Sequence, residues 1–221
     1  MKVSEALQQR KSVRAYLDKP VPQQVITRIL NAARCAPSGT NTQPWEVAVT
    51  TGKTRDEIAN KMVATFRAGG KGHMAYNYYP TEWKAPFKPR RVACGLQLYS
   101  TLGIKKEDTT RRAEQWEANY HSFGAPVVMY FLMDKIMETG SFMDYGMFIQ
   151  SIMLAAVEEG LATCPQAALA EYPDIVKQTL GYDDNYIVVC GLALGYEDTS
   201  ALINSYRTPR EEVATFTRFF D

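Results

Sequence analysis

Ala36-Pro-Ser-Gly-Thr-Asn-Thr-Gln-Pro-Trp45 joins two stretches of different periodicity. Upstream, Val25, Ile26, Ile29, Leu30 and Ala33 fall on one helical face, so residues 22–36 are predicted to form a helix with Pro22 in its first turn. Downstream, Glu46-Val-Ala-Val-Thr50 alternates like a strand. Pro37 ends the helix, because it has no N–H to donate and restricts the residue before it. Gly39 permits a positive φ or a close backbone approach. Ser38, Thr40, Asn41, Thr42 and Gln43 carry hydroxyls and amides that both donate and accept. Such a loop can hydrogen-bond a flat, polar-edged ligand. Taken alone, its composition fits an ordinary helix-to-strand connector better.

The 221 residues suit one domain, 1–221, large enough to bury a core without staples. Twenty-five basic and 24 acidic residues give a formal charge of +1, so no global field draws nucleic acid or an anionic membrane, and any anion site must be local. The four cysteines, Cys35, Cys94, Cys164 and Cys190, form no C-x-x-C pair and no metal-ligand spacing with His73 or His121. No metal and no disulfide are expected, and a reducing compartment is. Met1 to Arg10 lacks the apolar core of a signal peptide, and no stretch has the length of a membrane span. The expected location is cytoplasmic.

Elsewhere, Ser4 to Gln9 suits a short helix capped by Ser4. Arg10-Lys-Ser-Val-Arg14 sets three cations and a hydroxyl within five residues, which fits a phosphate cradle, although so short a charged run is more often a solvated surface. Helices are expected at 54–66, 90–102, 107–122, 142–160 and 173–180, and strands at 125–133 and 186–194. Within 142–160, Asp144 and Gln150 interrupt an otherwise apolar pattern, and Asp144 suits a helix-start charge. Residues 69–89 are irregular and rich in Tyr, Trp and Pro, as functional lids are. Leu161-Ala-Thr-Cys-Pro-Gln-Ala-Ala168 is a small-residue segment whose backbone can lie against a ring system. Arg207 and Arg210 stand three apart in a polar segment suited to gripping phosphate. Phe216, Phe219 and Phe220 make an apolar tail expected to pack on a partner subunit. There is no repeat, Walker loop, G-x-G-x-x-G or hydrolase triad order.

Four separated segments, 10–16, 36–45, 160–168 and 204–210, come in the order in which they occur in flavin-dependent nitroreductases. Over essentially its whole length the chain resembles that family, and its Tyr-Tyr-Pro-Thr-Glu-Trp83 followed by Arg90-Arg91 looks most like the nitroaromatic and nitrobenzoate reductases. The resemblance implies an α+β fold: a mixed, mainly antiparallel sheet wrapped by helices, in a domain-swapped homodimer. It implies FMN as cofactor, NADH or NADPH as donor, and a nitroaromatic or similar acceptor in a two-electron ping-pong reaction. Arg10, Ser12, Arg14 and, less directly, Lys11 would contact the flavin, with Arg210 or Arg207 joining Arg10 on its phosphate. Pro37, Ser38, Gly39, Thr40, Asn41 and Gln43 would reach the flavin held mainly by the neighbouring subunit. Pro165, Gln166, Ala167 and Ala168 would line the ring, the Ala167 N–H facing flavin N5, so no catalytic side chain is required. Residues 76–123 match the family's variable insertion, and Tyr76, Tyr79, Trp83, Phe87, Arg90, Arg91 and Phe123 would roof the substrate side. Residues 204–221 would extend onto the partner. Relatives with another acceptor (reductive dehalogenation, flavin breakdown) and an FMN-storage or sensing protein are the alternatives.

Overall fold

Val127-Val-Met-Tyr-Phe-Leu-Met-Asp134 explains the architecture, because nearly every residue in it is buried. In the computed structural model, which describes residues 1–221, it is strand β2 (Val127–Asp134). Successive strand side chains point to opposite faces. Val127, Met129, Phe131 and Met133 accordingly enter one core, and Val128, Tyr130 and Leu132 enter another. A strand covered on both faces reads as a continuous apolar run rather than an alternating one.

β2 is flanked by β1 (Glu46–Thr51) and β4 (Tyr186–Gly195), with β3 (Ala162–Gln166) outside β4. The order is β1-β2-β4-β3 and all three pairings are antiparallel. Parallel pairing is confined to a single bridge between Ser12 and Thr163. One face is covered by α2 (Gln23–Ala33) and α6 (Ser141–Glu158), the other by α3 (Gly52–Arg67) and α7 (Pro173–Leu180). α1 (Val3–Gln9) rests on α6. α6 stops at Gly160, whose φ of 70° is the left-handed conformation that glycine adopts without a Cβ penalty.

Some predicted boundaries shift for identifiable reasons. Ser4 lies inside α1, which begins after Lys2. Pro22 caps α2 instead of entering it. The helix expected at 90–102 is α4 (Phe87–Thr101), and that at 107–122 shrinks to α5 (Thr109–Glu117), capped by the Asp108 carboxylate accepting from the Arg111 N–H. The small-residue segment over 161–168, for which no strand is expected, is β3 followed by a 3-10 turn, Ala167–Ala170. Its Ala, Thr, Cys and Pro give a weak strand signal, and pairing with β4 decides the outcome.

α4 buries no residue against its own chain, and Leu96 is 66% exposed. In the tail beyond α8 (Val213–Phe216), Phe219 and Phe220 are 89% and 88% exposed. No helix is long and apolar enough to cross a membrane. All four cysteines are free thiols.

Candidate cofactor site

Residues 10–14 leave α1 and run beside β3, where the Val13 N–H donates to the Thr163 carbonyl at 3.0 Å. In extended chain, alternate residues share a side. Arg10, Ser12 and Arg14 therefore fall together, while Val13 turns into the interior at 1% exposure. This is the physical content of the Arg-x-Ser-x-Arg spacing. Lys11 is out of step: its ammonium pairs with Glu197 at 2.7 Å and donates to the Asn204 carbonyl at 2.6 Å.

Arg10, Lys11, Ser12, Arg14, Arg207 and Arg210 line one cavity of about 700 Å³, joined by Gln150 of α6, Tyr206 and Cys94 of α4. Five cations and no carboxylate line it. Burial, then the charges of Arg210 and Arg207, hold the Arg10 guanidinium below its ordinary range. Cations pressed together in this way are stabilised by an anion between them. The two C-terminal arginines differ. Arg207 donates to the Gln9 carbonyl at 2.9 Å and the Arg10 carbonyl at 2.6 Å, tying the tail to the end of α1. Arg210 donates to Thr208 and Pro209 beside it and holds no distant group. A guanidinium has five donors, so Arg207 retains capacity for an anion as well.

The 36–45 loop is not part of this cavity in the same chain. It turns through a 3-10 segment, Gly39–Asn41, with Thr40, Asn41 and Gln43 at φ values of 49°, 58° and 49°. Non-glycine residues there cost on the order of 1 kcal/mol each, so the shape must be held from outside. Asp144 Oδ1 accepts the Gly39 N–H at 3.1 Å, and Ser38 Oγ accepts the Gln43 N–H at 2.9 Å. Asp144 is thus a helix-start charge that also fixes the loop. Trp45 closes it by stacking on Phe148 at 4.5 Å, and Glu46 N–H donates to the Tyr145 hydroxyl at 2.9 Å. Pro37, Gly39, Thr40, Asn41 and Gln43 are left exposed.

At the end of β3, Pro165 is exposed and Gln166 is buried, its Nε2 donating to the Asn119 carbonyl at 2.8 Å while its Oε1 has no partner. Ala167 and Ala168 open the 3-10 turn, where the first N–H groups lack intrahelical partners. Gly191 lies beneath, and a Cβ there would be 2.3 Å from Leu169 Cδ1, so glycine is what lets this turn sit on β4. Four residues of strand rise, about 13 Å, separate Thr163 beside the cation cavity from Ala167.

Of the residues expected to roof the substrate, Tyr76, Tyr79 and Trp83 are linked through Tyr78 by ring contacts of 6.4, 4.6 and 5.6 Å, and Phe87 and Phe123 lie outside that series. Tyr76 is half-buried: its hydroxyl donates to the Val189 carbonyl and its ring meets Phe142 at 4.7 Å. Tyr79 and Trp83 form a cluster with Arg91, whose guanidinium is 4.9 Å from the Trp83 ring. Phe87 lies near Arg90, which pairs with Glu211 at 2.8 Å. Phe123 stands apart from these, with φ of 56° and its ring 6.0 Å from the Arg14 guanidinium. Sequence reasoning missed Asn204, Tyr206 and Cys94. A lone Asn or Cys gives no periodic signal, and their placement depends on tertiary packing.

An antiparallel sheet wrapped by helices, with a cation-lined cavity beside its edge strand, defines an α+β protein built to take an anionic ligand. The chain belongs to the nitroreductase family, whose model matches residues 7–196. It is 36% identical over 210 residues to a 4-nitrobenzoate reductase of Pseudomonas putida, covering 95% of this chain and 92% of that protein. The crystal structure of an FMN and NADPH-dependent nitroreductase, NfnB, from Sphigopyxis sp. strain HMH superposes with a TM-score of 0.97 at 38% identity over the whole of both chains. An FMN-dependent NfnB from Mycobacterium smegmatis in complex with NADPH superposes at 0.93, with 31% identity and full coverage of both.

Proposed function

We propose that the protein is an FMN-dependent oxidoreductase that passes electrons from NADPH or NADH to a nitroaromatic acceptor, acting as a homodimer in the cytoplasm. The observation that carries this reading is the meeting of Arg10, Ser12, Arg14, Arg207 and Arg210 at one carboxylate-free cavity. Arg10 and Arg210 grip the phosphate, with Arg207 behind them, and Ser12 adds a hydroxyl. The Ala167 turn, a strand's length away, suits the ring of an elongated ligand whose phosphate lies in the cavity. Bound FMN supplies hydride acceptance and two-electron delivery; the protein binds it, orients it and tunes it by nearby charge. Arg14 sits between the phosphate cavity and Phe123, so its charge serves the ring end, and Phe123 is the aromatic best placed to stack on a flat acceptor. Lys11 serves as a strut, since Glu197 and Asn204 take its ammonium. The exposed 36–45 loop, α4 and apolar tail support a dimer in which the loop reaches the partner's flavin. The relatives matched over most of their length are named a 4-nitrobenzoate reductase and an FMN and NADPH-dependent nitroreductase, which favours this reading over dehalogenation or flavin storage.

The test begins with the visible spectrum of the purified protein supplied with FMN. A flavin spectrum, bleaching with NADPH or NADH under anaerobic conditions, and recovery on adding p-nitrobenzoate are expected. Bound FMN that neither donor bleaches would instead favour storage or sensing. Failure to bind FMN at all would remove the reading.

A further inference from the structure

Asn204 ends a 3-10 turn, Leu202–Asn204, and is 3% exposed. Its Oδ1 accepts the Arg14 N–H at 2.8 Å, and its Nδ2 donates to the carbonyls of Ala15 and Asp198, each at 2.9 Å. Its own carbonyl accepts from Lys11 Nζ at 2.6 Å. An amide has two N–H donors, and both are spent here. Asn204 does not line the cation cavity, so anything it does for a ligand passes through its neighbours.

On this side residues 10–14 are also held by the Lys11–Glu197 pair and, just beyond, by the Asp198 N–H on the Ala15 carbonyl, but Asn204 alone takes the Arg14 N–H. Across from Asn204, the segment is held to β3 through Val13 and Thr163. Arg207 fixes its start at the carbonyls of Gln9 and Arg10. Asn204 fixes its end at Arg14 and Ala15. Without Asn204, the part-buried Arg14 N–H loses its side-chain acceptor, whereas the Ala15 carbonyl keeps the Asp198 N–H at 3.1 Å and the Asp198 carbonyl keeps the Ala201 N–H at 3.3 Å, so the strain falls on Arg14 itself.

We propose that Asn204 is a positioning residue of the cofactor site, setting the distance between the phosphate-facing Arg10 and Ser12 and the ring-facing Arg14. The proposal rests on the FMN reading of the cavity. Side-chain identity is the point. Leu fills the volume without a single polar contact. Asp keeps an acceptor for the Arg14 N–H but turns a second acceptor toward two carbonyls.

The experiment compares wild type, Asn204→Leu and Asn204→Asp, with Lys177→Met as a control that removes the Lys177–Asp184 pair on α7, away from the cavity. Dissociation constants for FMN and for riboflavin, the midpoint potential of the bound flavin and the thermal midpoint are measured for each. Asn204→Leu is expected to weaken FMN and riboflavin alike, by about tenfold or more, and to shift the flavin potential because Arg14 has moved. Asn204→Asp should fall between it and wild type, and carries the test alone if the Leu variant does not fold. Lys177→Met should lower the thermal midpoint while leaving both affinities and the potential in place. Wild-type affinity and potential in the folded Asn204 variants overturn this inference alone. The same holds if their losses match those of Lys177→Met at equal destabilisation. A wild type that takes no flavin overturns the FMN reading together with it.

Discussion

Gly39 donates its backbone N–H to Asp144 Oδ1 across 3.1 Å, joining the exposed polar loop to the first turn of the central helix. The loop contains three non-glycine residues at positive φ, so it needs an external tether. Asp144 is 7% exposed and supplies one with charge. Asp144→Ala is expected to cost roughly 1.5–3 kcal/mol, the range for hydrogen bonds to charged groups. Urea unfolding checks this through a lower midpoint at unchanged slope. A midpoint equal to wild type would mean the loop holds its shape unaided.

Arg10 and Arg210 should be separable from ring binding by the choice of ligand. Riboflavin lacks the phosphate, so deleting either arginine should weaken FMN by about tenfold or more and leave riboflavin nearly unaffected. Fluorescence titration of both flavins against Arg10→Ala and Arg210→Ala measures the ratio. Equal losses for the two ligands would show that the arginines do not grip phosphate. Asn204→Leu, acting on both ends of the site, should instead weaken FMN and riboflavin alike.

Gly191 is a sharper probe of the turn that carries Ala167. An added Cβ would lie 2.3 Å from Leu169 Cδ1 and 2.9 Å from its Cβ, too close for a flexible tip to absorb. Gly191→Ala should therefore push the Ala167–Ala170 turn outward and cost about 1–3 kcal/mol. Loss of thermal stability together with weaker riboflavin binding is the expected pair of results. Lost stability with riboflavin affinity intact would detach the turn from the ring.

Much of this was legible because the signals were local. The cations and hydroxyl of Arg10 to Arg14 stand within five residues, the β2 segment is a nearly continuous apolar run, and the helix expected at 173–180 is α7. What was hidden depends on tertiary pairing. β3 has weak strand propensity and exists through its ladder with β4. Asn204 looks like an ordinary turn residue until the two chain ends meet. Within the aromatic insertion, Tyr76 to Trp83 form one series of ring contacts ending at Arg91 while Phe123 lies on the Arg14 side, an arrangement that aromatic composition alone does not give.

The thiols give a pH prediction. Burial pushes the Cys164 thiol up to about 11 and the Cys190 thiol up to about 12, from an ordinary value of 9. For Cys164, the cations Arg14 and Arg10 and a hydrogen bond from Ser12 oppose this without overcoming it. A thiol that stays protonated in the fold while the unfolded chain ionises makes the native state bind more protons. Stability should thus fall as pH rises from about 9 toward about 12, and be level below that window as far as these groups are concerned. At pH 8, iodoacetamide should label the exposed Cys35 and spare Cys164, read by mass spectrometry of peptides. Prompt labelling of Cys164 in the folded protein would contradict its burial.

The exposed faces make the final prediction, that the active unit is a dimer. α4 leaves Phe87, Val92 and Leu96 in water, and the tail leaves Phe216, Phe219 and Phe220. Apolar patches of this kind are uncommon on monomers and are covered when a second copy docks. The 36–45 loop lies outside its own chain's cation cavity, which fits a loop that serves the partner's flavin. Removing residues 213–221 should then shift the protein toward monomer and weaken FMN binding, although no cation of the cavity is deleted. Light scattering after size exclusion, run beside flavin titration at several protein concentrations, tests both halves. FMN affinity in the truncated protein should recover as concentration drives reassociation. A stable monomer that binds FMN with wild-type affinity at every concentration would show that one chain completes its own site.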